Sequence, residues 1–260
     1  MIIYLYLNSD FLRKGVTAMI QKQKNVMAKI AGGLIVSCQA REDDPIYMPG
    51  IIEKMAASAE WGGAVGLRIN TPEHIRDVRK MTDLPIIGLW KIEHDDSPVF
   101  LTPHMESVQA VVDAGSDIVA VDATDRLNHD GEKAYDIIPK IRDAFPDILI
   151  LADVRDDVEA DIALKKGAHM VAPTLYRFSE HAKSIDSPDF EMLAKIVRTS
   201  EGRGKVLMEG KINTPEEAMQ SLYLGAHAVV VGSAITRPHL TTLRFTTKIN
   251  KYEQQMPLKY

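Results

Sequence analysis

The chain has 260 residues, 45% of them hydrophobic, and a formal net charge of −5 at pH 7. That is enough apolar material for one large core. The acidic balance argues against a nucleic-acid partner and means that an anionic ligand must be held by local donors rather than by a global field. A single cysteine, Cys38, leaves no internal disulfide and suits a reducing compartment. No run reaches the roughly 18 apolar residues of a membrane span. The short apolar start has its basic residues after it, not before it, and carries no small-residue cleavage site, so a cytoplasmic protein with no membrane partner is expected.

In chain order, residues 1–30 stand apart from the rest of the chain. They read as an N-terminal extension, or an upstream start over 1–20, and a short helix over Lys24–Ala31 closing the bottom of a barrel. Residues 31–260 read as one unit. Leu34–Cys38 is the first apolar strand. A glycine after a helix then leads into a strand four times, at Gly63, Gly115, Gly167 and Gly225, spaced by twice the length of a βα unit. Strands at Pro85–Trp90, Asp147–Leu151 and Lys205–Met208 fill the gaps, which makes eight. Helix starts repeat as well. Ile69-Asn70-Thr71-Pro72-Glu73 recurs letter for letter at Ile212–Glu216, and Thr102-Pro103 offers the cap-plus-proline pair a third time.

Eight short strands alternating with amphipathic helices predict an α/β fold, a single-domain (β/α)8 TIM barrel. An open doubly wound sheet would want a G-x-G-x-x-G after an early strand, and the sequence has none. The irregular stretches Arg41–Gly50, Ile92–Pro103, Thr124–Gly131 and Leu175–Pro188 all come after strands, on the face where barrels keep their chemistry.

Polar residues at strand ends therefore rim the mouth. They are Gln39, Arg68, Lys91 and Asp122 after strands 1 to 4, then Asp153, Thr174 and Glu209 after strands 5 to 7, with Gly232-Ser233 after strand 8. Each alone can be a structural ion pair, and Asp122 is expected to pair with Lys91 or Arg68. Lys91 comes after a fully apolar strand; desolvation and Arg68 would favour its neutral amine, suiting a general base or Schiff-base nucleophile, with an anion clamp as the other reading. Glu209, before Gly210, can act as general acid or base or can orient Lys91 or a sugar hydroxyl. Gly232-Ser233 and the turn after it match the phosphate site that barrels build after strands 7 and 8, with Arg237 near enough in sequence to add a contact. His169 and His227 fall at strand starts and read as structural. His94, His104 and His129 lie scattered in top-face loops, so no metal is expected. Cys38 reads as core.

Leu34–Ala40, Gly62–Arg68, Pro85–Gly88, Val121–Thr124, Glu209–Pro215 and Val230–Pro238 together resemble the N-acetylmannosamine-6-phosphate 2-epimerase family, from about Gly32 to about Phe245. The resemblance implies a (β/α)8 barrel that interconverts N-acetylmannosamine 6-phosphate and N-acetylglucosamine 6-phosphate in sialic acid breakdown. It implies catalytic roles for Lys91 and Glu209. Gln39, Arg68 and Asp122 match positions that touch the sugar or steer the lysine, and Asp153 and Gly210 join them as candidate substrate contacts. Gly232, Ser233 and Arg237 match the phosphate grip. The sequence departs from the family at Lys211, at Ala172-Pro173-Thr174, and over residues 1–30. The expected ligand is a sugar phosphate, with no cofactor; oligomeric state is left open, a homodimer included.

Overall fold

The structure, a computed structural model, describes residues 17–178 and 187–255. Residues 1–16 of the expected N-terminal extension and part of the Leu175–Pro188 loop lie outside the described residues. Eight strands, β1 (Leu34–Cys38), β2 (Gly66–Asn70), β3 (Ile86–Leu89), β4 (Ile118–Asp122), β5 (Leu149–Asp153), β6 (Met170–Ala172), β7 (Lys205–Glu209) and β8 (Ala228–Val231), are all parallel, and β8 closes on β1. Around them run α1 (17–30), α2 (Ile51–Trp61), α3 (Pro72–Arg79), α4 (Met105–Asp113), α5 (Ile137–Ala144), α6 (Asp157–Lys165), α7 (Phe190–Ser200), α8 (Pro215–Tyr223), the short α9 (Ser233–Thr236) and α10 (Pro238–Gln255). This is a (β/α)8 barrel.

Side chains alternate across each strand, which splits the core into two layers. Val36, Cys38, Leu67, Ile69, Val119, Val121, Ile150 and Ala152 face outward against the helices. Ile35, Ile87, Leu89, Ala120, Leu151, Leu207 and Val230 face inward and fill the barrel. Each fully buried Ile or Leu contributes about 1.5–3 kcal/mol. The same alternation fixes where the polar residues go. Arg68 lies between outward Leu67 and Ile69, so it points in. Asp122 comes two residues after Ala120, Asp153 two after Leu151, Glu209 two after Leu207 and Lys91 two after Leu89. All share the inward parity.

The helix signals hold at two of the three expected places. Thr214 accepts from the Glu217 N–H at 3.2 Å, and Glu217 Oε2 accepts from the Thr214 N–H at 3.1 Å, closing a capping box over Pro215. In the first copy Thr71 caps α3, but His74 stands at the third helical position and bonds the Thr71 hydroxyl through its ring instead. The third expectation fails. His104 caps α4, while Thr102 sits before it at φ 48°, buried, taking the Trp90 N–H and donating to the Ala120 carbonyl. Its hydroxyl is spent joining β3 to β4, so it cannot cap. The four repeated glycines all turn with φ between 88° and 104°, a region that disfavours any side chain.

At the N-terminal end of the barrel, Val26 and Ile30 of α1 pack onto the interior layer. His227 Nε2 bonds the Met27 carbonyl at 2.9 Å. His169 Nδ1 accepts from the Ile150 N–H at 3.0 Å. Burial, then the Arg142 charge, lower His169 to about 4, so it stays neutral at neutral pH. Both histidines tie elements together at that end. Burial pushes the Cys38 thiol up to about 12, which leaves it unreactive.

Candidate active site

β2 runs on to Asn70, so Arg68 is an interior mid-strand residue rather than one at a strand end. Its side chain is 2% exposed. The guanidinium forks onto Asp153, Nη2 to Oδ2 at 2.6 Å and Nη1 to Oδ1 at 3.3 Å, and Nη1 also donates to Glu209 Oε2. The Thr174 hydroxyl adds a further bond to Asp153. One buried cation thus holds two carboxylates from β5 and β7. Burial works against the Arg68 charge, but Asp153 and Glu209 more than offset it and hold the guanidinium above its ordinary range.

The expected pairing of Asp122 with Lys91 or Arg68 does not form. Asp122 accepts from the Thr124 N–H at 3.0 Å and hydroxyl at 2.7 Å, and pairs with Arg126. The reason is proximity along the chain: a partner four residues on closes a short loop, whereas Arg68 is already taken across the barrel. Burial raises the Asp122 carboxyl above its usual range despite Arg126 and Thr124. Asp122 and Asp153 are 2% and 0% exposed. In this arrangement they anchor Arg126 and Arg68. Strand-end reasoning misses Arg126 as the partner of Asp122, although its four-residue spacing is there to be read.

Glu209, the last residue of β7, is 16% exposed at its side chain. Desolvation raises its carboxyl to about 7; Arg68 lowers it, Asp153 raises it and the charge of Lys91 lowers it. Gly210 comes next at φ 122°, where no L side chain is comfortable, and Lys211 at φ 58°. That sharp turn ends the strand and leaves Glu209 at the mouth.

Lys91 lies two residues past β3. Its Nζ donates to Gln39 Oε1 at 2.6 Å, and Gln39 Nε2 donates to Ser37 Oγ at 2.9 Å. Its backbone N–H donates to Asn70 Oδ1 at 3.0 Å, so the first copy of the repeated Asn-Thr-Pro-Glu also fixes the lysine's backbone. The desolvation expected of Lys91 is absent: the residue is exposed at the rim. The strand that carries it is apolar, but the loop it enters opens to solvent.

Gly232 caps α9, and its carbonyl takes the Ile235 and Thr236 N–H groups, both at 2.9 Å. The Thr236 hydroxyl donates to the Ser37 carbonyl at 3.1 Å, which ties this turn to β1. Arg237 pairs with Asp44 at 3.0 Å, and His239 reaches the same carboxylate at 3.2 Å. Asp44, from the loop after β1, gives no signal in the sequence because nothing local links it to the last helices. The top-face histidines are not scattered as expected. His94 stacks on His129 with centroids 4.9 Å apart, and His104 meets His94 edge-on at 6.0 Å.

A family model described as "Putative N-acetylmannosamine-6-phosphate epimerase" matches residues 52–251. The chain belongs to this family. A protein of Listeria monocytogenes serovar 1/2a described as "Putative N-acetylmannosamine-6-phosphate 2-epimerase" is 42% identical over 233 residues, covering 89% of this chain and 98% of its own. One of Caldanaerobacter subterraneus with the same description is 41% identical over 229 residues, covering 88% and 96%. Among solved structures, the N-acetylmannosamine-6-phosphate 2-epimerase of Clostridium perfringens superposes with a TM-score of 0.79 at 38% identity, over 85% of this chain and 95% of that one. A thiamine phosphate pyrophosphorylase of Pyrococcus furiosus, at 19% identity and TM-score 0.53, shares the fold alone. The family match begins inside α2 and takes in the barrel from Lys91 to Arg237.

Proposed function

We propose that this protein is an N-acylglucosamine-6-phosphate 2-epimerase, interconverting N-acetylmannosamine 6-phosphate and N-acetylglucosamine 6-phosphate by proton transfer at C2. The pyranose C2–H is not acidic. Opening the ring to the aldehyde places that proton α to a carbonyl. A base then takes the proton, its C–H electron pair moves into the C1–C2 bond and the aldehyde oxygen becomes an enolate oxygen. Returning a proton to the other face of C2 and reclosing the ring completes the inversion, with no net change in oxidation state.

The observation that carries this reading is Glu209, a carboxyl raised to about 7 at the mouth, within the electrostatic reach of Lys91. A group near neutrality can both give and take a proton at working pH. Lys91 supplies the second proton carrier or the cation beside the developing oxygen charge. Gln39 holds the Lys91 amine, and Arg68, itself fixed by Asp153, holds Glu209. Asp122 keeps the same positioning role through Arg126. The 6-phosphate is assigned to the turn at Gly232 and Ser233, with Gly210 and Arg237. Anchoring the phosphate offsets the conformational freedom an open-chain sugar loses. This reading includes a cytoplasmic location, suggested by one buried thiol, and residues 31–260 as the folding unit. It also includes a homodimer, supported by Phe245, Ile249 and Tyr252, which share one exposed face of α10 at i, i+4 and i+7.

Turnover of N-acetylmannosamine 6-phosphate in D₂O, monitored by NMR, tests the chemistry. The expected result is deuterium at C2 of both sugars. Interconversion with an unlabelled C2, or no interconversion, overturns it.

A further inference from the structure

His94, Asp96 and His129 bring one ligand atom each to within 4.8 Å of one another, on the two loops that come after β3 and β4. The side chains are presented by braced turns. His94 and Ser97 form an antiparallel bridge, and Leu127 pairs with Lys133 in the same way. The Ser97 hydroxyl donates to the Leu127 carbonyl at 3.0 Å, joining the two turns. His129 Nδ1 already meets Asp96 Oδ1 at 2.8 Å. His94 Nε2, by contrast, is buried and has no hydrogen-bond partner among the described residues. A buried ring nitrogen normally finds a donor or acceptor, so a missing partner asks for an explanation.

We infer that these three side chains form a binding site for a borderline divalent transition metal, Zn²⁺ by its ligand chemistry, which clips the loop after β3 to the loop after β4. Two imidazoles and a carboxylate suit Zn²⁺, Co²⁺ or Ni²⁺. Mg²⁺ and Ca²⁺ prefer oxygen ligands throughout. Around a tetrahedral Zn²⁺ with bonds of about 2.0–2.2 Å, ligand atoms lie roughly 3.3 Å apart. Parallel rings cannot aim both in-plane lone pairs at one ion, so binding requires the exposed His129 ring to turn out of its present stack on His94, with the exposed Asp96 following it. The metal takes the place of the proton that bridges His129 and Asp96, which leaves to solvent, and water completes the shell. Its role is to hold loops, not to take part in proton transfer at C2: none of its ligands is among the residues assigned to the sugar. Lys91 lies three residues before His94, so the clip steadies the loop that carries it.

The test uses the full-length protein after dialysis against a chelator. Zn²⁺ is titrated against a chromophoric competitor, and Co²⁺ binding is monitored by visible absorption. The expected result is one equivalent of each metal, with d–d bands of tetrahedral or five-coordinate intensity and no thiolate charge-transfer band. His94→Ala, His129→Gln and Asp96→Asn should each weaken binding by at least the roughly 10- to 100-fold that loss of an outer-shell partner costs elsewhere. The last two lie on exposed side chains and keep the fold, which circular dichroism checks. Absence of bound metal in the wild type overturns the proposal, as does a titration unchanged in the His94→Ala/His129→Gln double variant.

Discussion

Arg68 and Glu209 form an ion pair in which the cation is the deeper partner, with 2% of the arginine side chain accessible against 16% of the glutamate. The carboxylate is therefore held from beneath while its outer side faces the mouth. Asp153, at 0%, holds the arginine in turn. Removing the cation leaves two buried carboxylates unpaired, which typically costs about 3–5 kcal/mol. Arg68→Met should lower unfolding free energy by that order in chemical denaturation. Adding Asp153→Asn and Glu209→Gln to it should recover much of the loss. A triple variant no more stable than the single one would show that packing, not charge, dominates at Arg68.

Glu209 also makes a prediction about pH. Its folded-state value lies near 7, against an ordinary 4.5. Between those values the folded protein binds more of this proton than the unfolded chain does, so its contribution to stability falls as pH rises through that window and is flat beyond it. In Glu209→Gln this slope disappears. The expected outcome is a difference curve, wild type minus variant, that declines from about pH 4.5 to 7 in thermal melts. A flat difference curve would place Glu209 in the ordinary carboxylate range. Turnover of the variant should fall by about 10²- to 10⁴-fold.

Lys91 is exposed, so truncating it should not unfold the barrel. Lys91→Ala is expected to shift stability by no more than about 0.5 kcal/mol. Inorganic phosphate should still inhibit or protect as before, and turnover should be lost. Gln39→Ala leaves the amine in place but removes its 2.6 Å partner. It should lower kcat by about tenfold with a smaller change in KM, a split characteristic of lost positioning. Near-normal kcat in Lys91→Ala would falsify the assignment of the lysine.

The barrel is legible in the sequence because its signals are local and repeated. A glycine with positive φ ends four helices, and the Asn-Thr-Pro-Glu string starts two. Strand parity then carries Lys91, Asp122, Asp153 and Glu209 to the interior side of the mouth with no further information. Pairing is the part that residue order does not encode. Arg68 pairs across the closed barrel with Asp153 and Glu209, while Asp122 takes the nearby Arg126. The same limit hides Asp44 beneath Arg237. It also makes His94 and His129 look scattered, since adjacent strand loops meet in space only once β3 and β4 are paired. Thr102 misleads for a different reason: its hydroxyl satisfies two strands, and a cap signal cannot reveal that competition.

Asp44 carries the last prediction. Its carboxylate occupies Arg237 at 3.0 Å and is itself 8% exposed at its side chain. If Arg237 grips the substrate phosphate, the arginine must share itself with an anion of its own protein. The ligand then gains only the difference between two ion pairs. Asp44→Asn keeps the side-chain shape and a hydrogen-bonding oxygen but removes the competing charge. Solvent-exposed pairs are worth up to about 1 kcal/mol, and this one is more enclosed, so about fivefold in an equilibrium constant is a lower bound. The variant should therefore bind inorganic phosphate at least about fivefold more tightly, read as a lower competitive inhibition constant, with kcat little changed. Arg237→Ala should do the opposite and weaken phosphate inhibition. Weaker inhibition in Asp44→Asn would mean that the carboxylate orients Arg237 toward the phosphate rather than competing for it.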